Sequence, residues 1–273
     1  MSEIIIDYPR PEIALLRLNR PDCLNALSWN LVTELHAALD TLNANNECRV
    51  VVLTGAGKGF CAGLDLGDQG NPGDIVAGLP AGPQAGLIAQ NHMASLMPHL
   101  RRIQQPLIAA INGVAYGGGI ALALACDVRI AASSARLCTQ FIRLGVSGCD
   151  MGVSYMLPRL IGASRAHDLI LSARVINAEE AERYGVVTRV VGDEELELSA
   201  LALAEELCDF APFGLMATKQ VMWANLDSPN LEAAIQLENR NQIMAGLSGE
   251  AEEAGLAFFE KRKPRWSHQR EED

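Results

Sequence analysis

The sequence predicts an α/β fold: a core of alternating strands and helices, followed by a helical C-terminal region. Short, continuously apolar runs at 50–53 and 107–111 are typical of buried parallel strands. Amphipathic helical patterns lie between these runs, and helical spacing dominates beyond residue 150. Strand, helix and strand in this order are typical of βαβ units, in which the strands share one sheet.

The elements are predicted in order along the chain. Two segments with strand patterns, 4–6 and 13–18, are separated by prolines and suit a hairpin or an edge of a sheet. Ser28 is predicted to cap a first helix whose apolar face spans 31–42. The glycine- and proline-rich segment 67–86 is predicted to be a loop. The further predicted strands are 50–53, 107–111, 127–131 and 186–191, and the further predicted helices are 87–103, 120–125, 150–160, 163–171, 178–183, 194–209, 212–226, 230–246 and 249–259.

Composition limits the classes of function. The chain has 273 residues, 49% of them hydrophobic, which is enough for one large core. A formal net charge of -11 argues against nucleic-acid and anionic-membrane partners. Seven cysteines without a CxxC pair, and histidines without metal-ligand spacing, predict neither disulfides nor a metal site. The N-terminus lacks a signal-peptide pattern, so we expect a cytoplasmic protein.

Two glycine-containing turns follow two of the apolar strands, at 54–66 and 112–119. The first contains Gly57-Lys58, but no serine or threonine follows the lysine, so a phosphate-binding P-loop is not predicted. The GxGxxG pattern of dinucleotide sites also fails, because position 60 is phenylalanine.

Such turns can instead direct free backbone N–H groups at one oxygen. The second turn ends in three glycines that lead into a predicted helix, where N–H groups lie at the positive end of the helix dipole. Two such groups from two turns would form an oxyanion hole. Taken singly, each turn is better explained as a tight connection, whereas two such turns at the ends of two adjacent strands are more specific for an oxyanion hole.

Several segments within residues 12–265 resemble the crotonase (enoyl-CoA hydratase/isomerase) family. The combination is specific for the family, although not for one reaction. The fold that the resemblance implies is a crotonase-like ββα spiral core with a helical C-terminal region. We accordingly expect the core over 1–200 and a helical oligomerisation region over 201–273. The matching segments are NRP at 19–21, LNAL at 24–27, FCAGLDL at 60–66, INGVAYGGG at 111–119, ACD at 125–127, LPRLIG at 157–162 and EKRKP at 260–264.

The resemblance implies a site for an acyl-CoA thioester. The N–H groups of Leu64 and Gly118 would hold the thioester oxygen. The backbone around Ala62 and Leu64 would line the path of adenine and pantetheine, and Leu24 would border the coenzyme A channel. Coenzyme A is then part of the substrate, and no further cofactor is expected.

The resemblance also implies a homo-oligomer, a trimer or a dimer of trimers. Phe258 and Lys261, from a neighbouring subunit, would contact the adenine or its phosphates. Lys261 belongs to a basic cluster, 261–265, which a solvated helix end would equally explain. Fatty acid metabolism is the expected setting.

The sequence departs from the family at both hydratase glutamates. Ala121 and Phe141 occupy their positions, and together with Tyr116 these residues are possible parts of an acyl pocket. Asp150 resembles the catalytic aspartate of dienoyl-CoA isomerases, with one extra residue after Gly145. The alternative is that Asp150 caps a helix starting at Met151.

These residues predict an enolate-stabilising enzyme in which Asp150 shuttles a proton, as in double-bond isomerisation. Two alternatives remain open. One is a hydratase or hydrolase whose water is held by Asp150 with Tyr116 or backbone groups. The other is an acyl-CoA-binding protein that has lost catalysis.

Overall fold

The structure is a computed structural model that describes residues 2–68 and 72–266, without the side chains of residues 73 and 74. Over these ranges the chain forms ten strands, arranged in two sheets, and eleven α-helices. The strands are β1 (Ile4–Arg10), β2 (Ile13–Leu18), β3 (Val50–Gly55), β4 (Gly59–Cys61), β5 (Leu107–Ile111), β6 (Val114–Tyr116), β7 (Val128–Ala132), β8 (Arg136–Cys138), β9 (Ile176–Asn177) and β10 (Arg189–Val191). The helices are α1 (Trp29–Ala44), α2 (Pro83–Ala94), α3 (Leu96–Arg102), α4 (Gly118–Ala125), α5 (Val153–Ile161), α6 (Ala163–Ser172), α7 (Ala178–Tyr184), α8 (Leu196–Cys208), α9 (Pro212–Asn225), α10 (Leu231–Leu247) and α11 (Glu250–Glu260).

The larger sheet has the strand order β1-β2-β3-β5-β7-β10. Its first two strands form the predicted antiparallel hairpin, and the other neighbours pair in parallel. Every residue of β3 and β5 is buried, which explains why the runs 50–53 and 107–111 are continuously apolar. The sequence therefore predicted the six strands of this sheet, although not their order, and β10 is shorter than the predicted strand 186–191.

The smaller sheet, of order β4-β6-β8-β9, was not predicted. Each of its strands has three residues or fewer, which is too short for an alternating pattern to stand out. Strands β3, β5 and β7 of the larger sheet are followed directly by β4, β6 and β8 of the smaller one. This alternation gives the repeating ββα units of the predicted fold.

The structure does not contain the single helix that was predicted at 87–103. The segment forms two helices, α2 and α3, which meet at Ser95, whose hydroxyl donates to the carbonyl of His92 at 2.9 Å. Helix α2 begins earlier than predicted, at Pro83, because proline is favoured at the first helical position. The predicted loop at 67–86 is consequently shorter, and it contains a 3₁₀ turn at Gly73–Val76.

Helices cover both faces of the larger sheet. Ala200 and Ala204 of α8 are fully buried against one face. On the other face, α1, α3 and α4 contribute to the main core. All eight residues of α4 are buried, so the sheet and its neighbours fix the helix that begins at Gly118.

The C-terminal helices expose much apolar surface. Helix α10 has no fully buried residue, and Leu231 and Leu247 in it are 76% and 79% exposed. Helix α8 crosses residue 200 and packs on the sheet, while the domain boundary at that residue stays a prediction. In the described part of the chain, no helix combines the length and apolar character needed to cross a bilayer.

Candidate active site

The two glycine-containing turns leave neighbouring strands of the larger sheet. The first follows β3 and the second follows β5, and these strands pair in parallel. The chain then enters the smaller sheet as β4 and β6, which also pair in parallel. Because parallel partners end at the same edge of a sheet, residues 62–64 come to lie beside residues 117–118.

Backbone crowding shows how closely these segments approach. A methyl group on Gly63, where φ is +96°, would lie 2.8 Å from the carbonyl oxygen of Tyr116. It would also lie 3.4 Å from the amide nitrogen of Gly118. A methyl group on Gly119 would lie 2.0 Å from the carbonyl oxygen of Cys61. Both positions therefore require glycine, because two backbones are in direct contact there.

The N–H groups of Leu64 and Gly118 have no backbone acceptor among the described residues. The N–H of Leu27 donates to the carbonyl of Gly63 at 2.7 Å. The N–H of Asp65 donates back to Leu27 at 3.0 Å, which leaves the N–H of Leu64 out of this bridge. Gly118 is the first residue of α4, where an N–H has no acceptor within its own helix. The N–H groups of Leu64 and Gly118 are thus two donors without a backbone acceptor, and they lie on adjacent backbone segments.

A cavity of about 870 Å³ contains both donor residues in its lining. Its wall is mainly apolar and is built from residues within 27–29, 62–66 and 72–82, from α2, from the start of α4 and from residues within 140–151. Among the described residues that line it, Asp150 carries the one carboxyl group. Apolar side chains of the wall include Leu27, Trp29, Leu66, Ala89, Met93 and Phe141.

The carboxyl group of Asp150 is held at one oxygen. Its Oδ1 accepts a hydrogen bond from the backbone N–H of Met151 at 2.7 Å and another from Nε2 of Gln90 at 2.6 Å. No sequence motif pointed to Gln90, because it lies sixty positions before Asp150, on α2. The side chain of Met151 lies against Gly118, since a methyl group there would be 3.1 Å from the Met151 sulfur. Asp150 and the Gly118 donor are therefore connected through one intervening residue.

The prediction that Asp150 caps a helix is wrong. Met151 and Gly152 are both left-handed, with φ of 44° and 76°, so the helix does not start at residue 151. Helix α5 begins at Val153, and its N-cap is Gly152. The Asp150 side chain is consequently not used in capping and lines the cavity instead.

The residues predicted to form an acyl pocket separate in the structure. Phe141 is nearly buried and lines the cavity. Ala121 lies inside the core on α4 and does not line the cavity. Tyr116 is half-buried on β6, where burial raises the pKa of its hydroxyl, and it contributes its carbonyl to the contact with Gly63. Of the three, Phe141 is the one that lines the cavity.

The sequence model of the enoyl-CoA hydratase/isomerase family matches residues 10–269. The chain belongs to this family. It is 40% identical to the "Probable enoyl-CoA hydratase EchA12" of Mycobacterium tuberculosis over 267 residues, which are 97% of this chain and 92% of that protein. It is 35% identical to the 1,2-epoxyphenylacetyl-CoA isomerase of Escherichia coli over 267 residues, 98% of this chain and 99% of the relative.

Solved structures of the enoyl-CoA hydratase/isomerase family share the fold. A probable enoyl-CoA hydratase/isomerase from Mycobacterium abscessus superposes with a TM-score of 0.91 at 40% identity. That comparison covers 99% of this chain and all of the other. The predicted crotonase-like α/β fold with a helical C-terminal region is therefore confirmed.

Two of the predicted coenzyme A contacts lie together. The N–H of Ala62 donates to the carbonyl of Leu24 at 2.9 Å, so these residues are adjacent, and Ala62 also lines the cavity. Leu24 is 37% exposed and left-handed, with φ of 51°. An exposed apolar side chain beside the donor turn agrees with a residue at the border of a channel.

Phe258 and Lys261, also predicted to contact coenzyme A, lie away from the cavity within this chain. Phe258 is 79% exposed near the end of α11, and Lys261 directly follows that helix. In the basic cluster, Arg262 pairs with Glu253 at 2.6 Å, and Lys263 pairs with Asp209 at 3.0 Å. A role for Phe258 and Lys261 in a neighbouring subunit stays a prediction.

The described residues around the cavity do not favour catalysis by a cysteine thiol or by a metal ion. Burial raises the pKa of Cys61 to about 12, which keeps this thiol protonated near the donors. Over residues 2–68 and 72–266, no cluster of three or more histidine, cysteine, aspartate or glutamate side chains suits a metal ion. The described residues that line the cavity provide two N–H donors without a backbone acceptor and one carboxyl group.

Proposed function

We propose that this protein isomerises a carbon–carbon double bond in an acyl-CoA thioester. The observation that carries the proposal is the position of Asp150, whose carboxyl group lines the same cavity as the Leu64 and Gly118 donors. Membership of the enoyl-CoA hydratase/isomerase family supports the thioester substrate. Coenzyme A enters as part of that substrate, and the reaction requires no separate cofactor.

The reaction would begin when Asp150 removes a proton from a carbon activated by the thioester. Negative charge then moves to the thioester oxygen, which the N–H groups of Leu64 and Gly118 would stabilise. One such donor in an enclosed site contributes about 3–4 kcal/mol to the transition state. Asp150 returns the proton at a different carbon, the double bond changes position, and no atom is gained or lost.

The apolar cavity wall favours isomerisation over hydration. Hydration needs a water that is activated on one face and a proton that is delivered to the product, a task that paired carboxylates share. By the family resemblance, the two glutamates that would do this are replaced by Ala121 and Phe141. Phe141 places an aromatic ring at the cavity instead of a carboxyl group.

The substrate's nucleotide end would run past Leu24 and Ala62 to the surface. Phe258 and Lys261 of a second copy would complete its site, within a trimer or a dimer of trimers. The exposed apolar side chains of α10 support association, because monomeric proteins rarely expose large apolar patches. The acidic net charge of -11 makes nucleic acid an unsuitable partner.

The name of the Escherichia coli relative suggests which thioesters to test. Since that protein is an isomerase of 1,2-epoxyphenylacetyl-CoA, ring-bearing thioesters belong beside linear ones. The purified protein would be incubated with 2-enoyl-, 3-enoyl-, dienoyl- and epoxide-bearing acyl-CoA thioesters, and products would be identified by mass and chromatography. We expect a product of unchanged mass.

The alternatives give other products in the same experiment. A mass gain equal to one water would indicate a hydratase, in line with the names of several relatives. Release of free coenzyme A would indicate a hydrolase. Binding of all thioesters without turnover would replace the enzyme proposal with an acyl-CoA-binding protein.

A further inference from the structure

We infer that Gln90 is a positioning residue for proton transfer, which acts by holding the Asp150 carboxylate in one orientation. This inference rests on the isomerase function proposed above. Gln90 lies on α2, outside every segment that carried the family resemblance, and its side chain reaches Asp150 across the cavity wall.

The contact fixes a single oxygen of the carboxylate. Nε2 of Gln90 lies 2.6 Å from Oδ1 of Asp150, and the N–H of Met151 lies 2.7 Å from the same oxygen. An ionised carboxylate only accepts hydrogen bonds, so the amide nitrogen of Gln90 is the atom that faces it. No hydrogen bond from another described residue reaches Oδ2. Oδ2 is therefore the oxygen left to take the proton.

Glutamine suits this task because it is neutral. An arginine or lysine in its place would form an ion pair with Asp150 and add a full positive charge beside the base. A neutral amide orients the carboxylate with one hydrogen bond and leaves its negative charge available for removing the proton. The second donor, the N–H of Met151, comes from the left-handed turn before α5, so two separate elements hold the same carboxylate oxygen.

Helix α2 is anchored next to Gln90. Ala89 and Met93 on the same helix are buried, at 7% and 4% exposure. Nε2 of His92 lies 3.2 Å from the hydroxyl of Thr33 on α1. A displacement of about 1 Å in a reacting group can lower the rate about a hundredfold. An anchored helix that carries the donor is thus a means of keeping the base in place.

The test is Gln90→Met, which keeps the side-chain length and removes the donor. We expect kcat to fall by about tenfold to a hundredfold, with KM and the affinity for a saturated acyl-CoA changed by less than about twofold. The matched control is Gln84→Met, on the same helix and outside the cavity lining, which should behave as wild type. Thermal unfolding of both variants checks that α2 remains folded.

Deuterium partitioning supplies a readout that a merely structural role would not change. A fixed carboxylic acid returns part of the abstracted proton to the product, whereas a mobile one exchanges it with solvent. In deuterated buffer we expect Gln90→Met to incorporate more deuterium per turnover than wild type does. If Gln90→Met keeps the wild-type kcat and deuterium partitioning while Asp150→Asn is inactive, the role of Gln90 is overturned and the isomerase proposal is not. Full activity of Asp150→Asn would instead overturn the isomerase proposal itself.

Discussion

At the scale of single residues, the two proposed donors are backbone N–H groups that glycine brings together. Gly119 is the most constrained of the glycines at the site, since a methyl group there would lie 2.0 Å from the carbonyl oxygen of Cys61. That oxygen belongs to a buried strand of the smaller sheet and cannot move independently. Substitution at this position must displace either the donor turn or the start of α4.

Gly119→Ala should therefore impair both activity and stability. We expect kcat to fall by about a hundredfold or more, because a misplaced donor loses most of its effect on the transition state. The control is Gly255→Ala on α11, where nothing lies within 4 Å, and it should be neutral or stabilising by about 0.5–1 kcal/mol. Steady-state kinetics and denaturant unfolding measure the two effects, and a fully active Gly119→Ala would contradict the crowding argument.

The roles of single residues were predicted correctly from sequence where their interactions are local. Ser28 caps α1 as expected, since its hydroxyl oxygen accepts from the N–H of Leu31 three positions later. The capping prediction for Asp150 failed because left-handed Met151 and Gly152 delay α5, and a left-handed methionine is not expected from its propensity. Gln90 was not found, because its partner lies sixty positions away in sequence.

At the scale of elements, three helices meet at a histidine cluster, which we define as His36 of α1, His92 of α2 and His99 of α3. Nδ1 of His36 lies 2.8 Å from Nδ1 of His99, and the ring centroids of His36 and His92 are 5.1 Å apart. Burial is the main cause that lowers the pKa of His92 and of His99 below 6.5. For His99, Asp40 opposes this effect and Arg102 adds to it.

The histidine cluster predicts that stability depends on pH. Because the pKa values of His92 and His99 are lowered on folding, the unfolded chain binds more protons just below pH 6.5. The contribution of these two histidines to stability should therefore be fully present above pH 6.5. It should be lost as the pH falls towards their lowered pKa values in the folded state. Urea midpoints between pH 5.5 and 8 measure this effect. The double variant His92→Asn, His99→Gln should depend less on pH than wild type, and His167→Gln, on α6, serves as the control. Identical slopes in all three proteins would contradict the assignment.

Elements were predicted well where they are long and periodic and poorly where they are short. The larger sheet and the C-terminal helices were predicted to within a few residues. The four strands of the smaller sheet escaped detection, although β4 and β6 set the geometry of the donor turns. Their stability comes from pairing with each other, which is information that no single segment contains.

At the scale of the whole molecule, a buried lysine connects the C-terminal helices to the sheet. Lys219 of α9 is 5% exposed, and its Nζ donates to the carbonyls of Gln105 at 2.8 Å and Leu100 at 3.2 Å. It also pairs with Asp127 at 3.2 Å. Burial lowers the pKa of Lys219, and Asp127 opposes that effect. This contact joins the region after residue 200 to the core.

Lys219→Met should destabilise the protein by about 2–3 kcal/mol, because it leaves buried carbonyls and a carboxylate without their shared donor. The matched control is Lys263→Met, which removes an exposed ion pair with Asp209 and should cost less than about 1 kcal/mol. Chemical denaturation of both variants gives the comparison. Equal stability of Lys219→Met and wild type would mean that the C-terminal helices are held by apolar packing alone.

The central claim is that Asp150 transfers a proton on a thioester held by the Leu64 and Gly118 donors. It is tested most directly by deuterium exchange into an acyl-CoA substrate, compared between wild type and Asp150→Asn in deuterated buffer. We predict that wild type incorporates deuterium without gaining the mass of water. Asp150→Asn should lose at least about a hundredfold in rate while binding the thioester as before. Undiminished exchange by Asp150→Asn, or addition of water by wild type, would contradict the account.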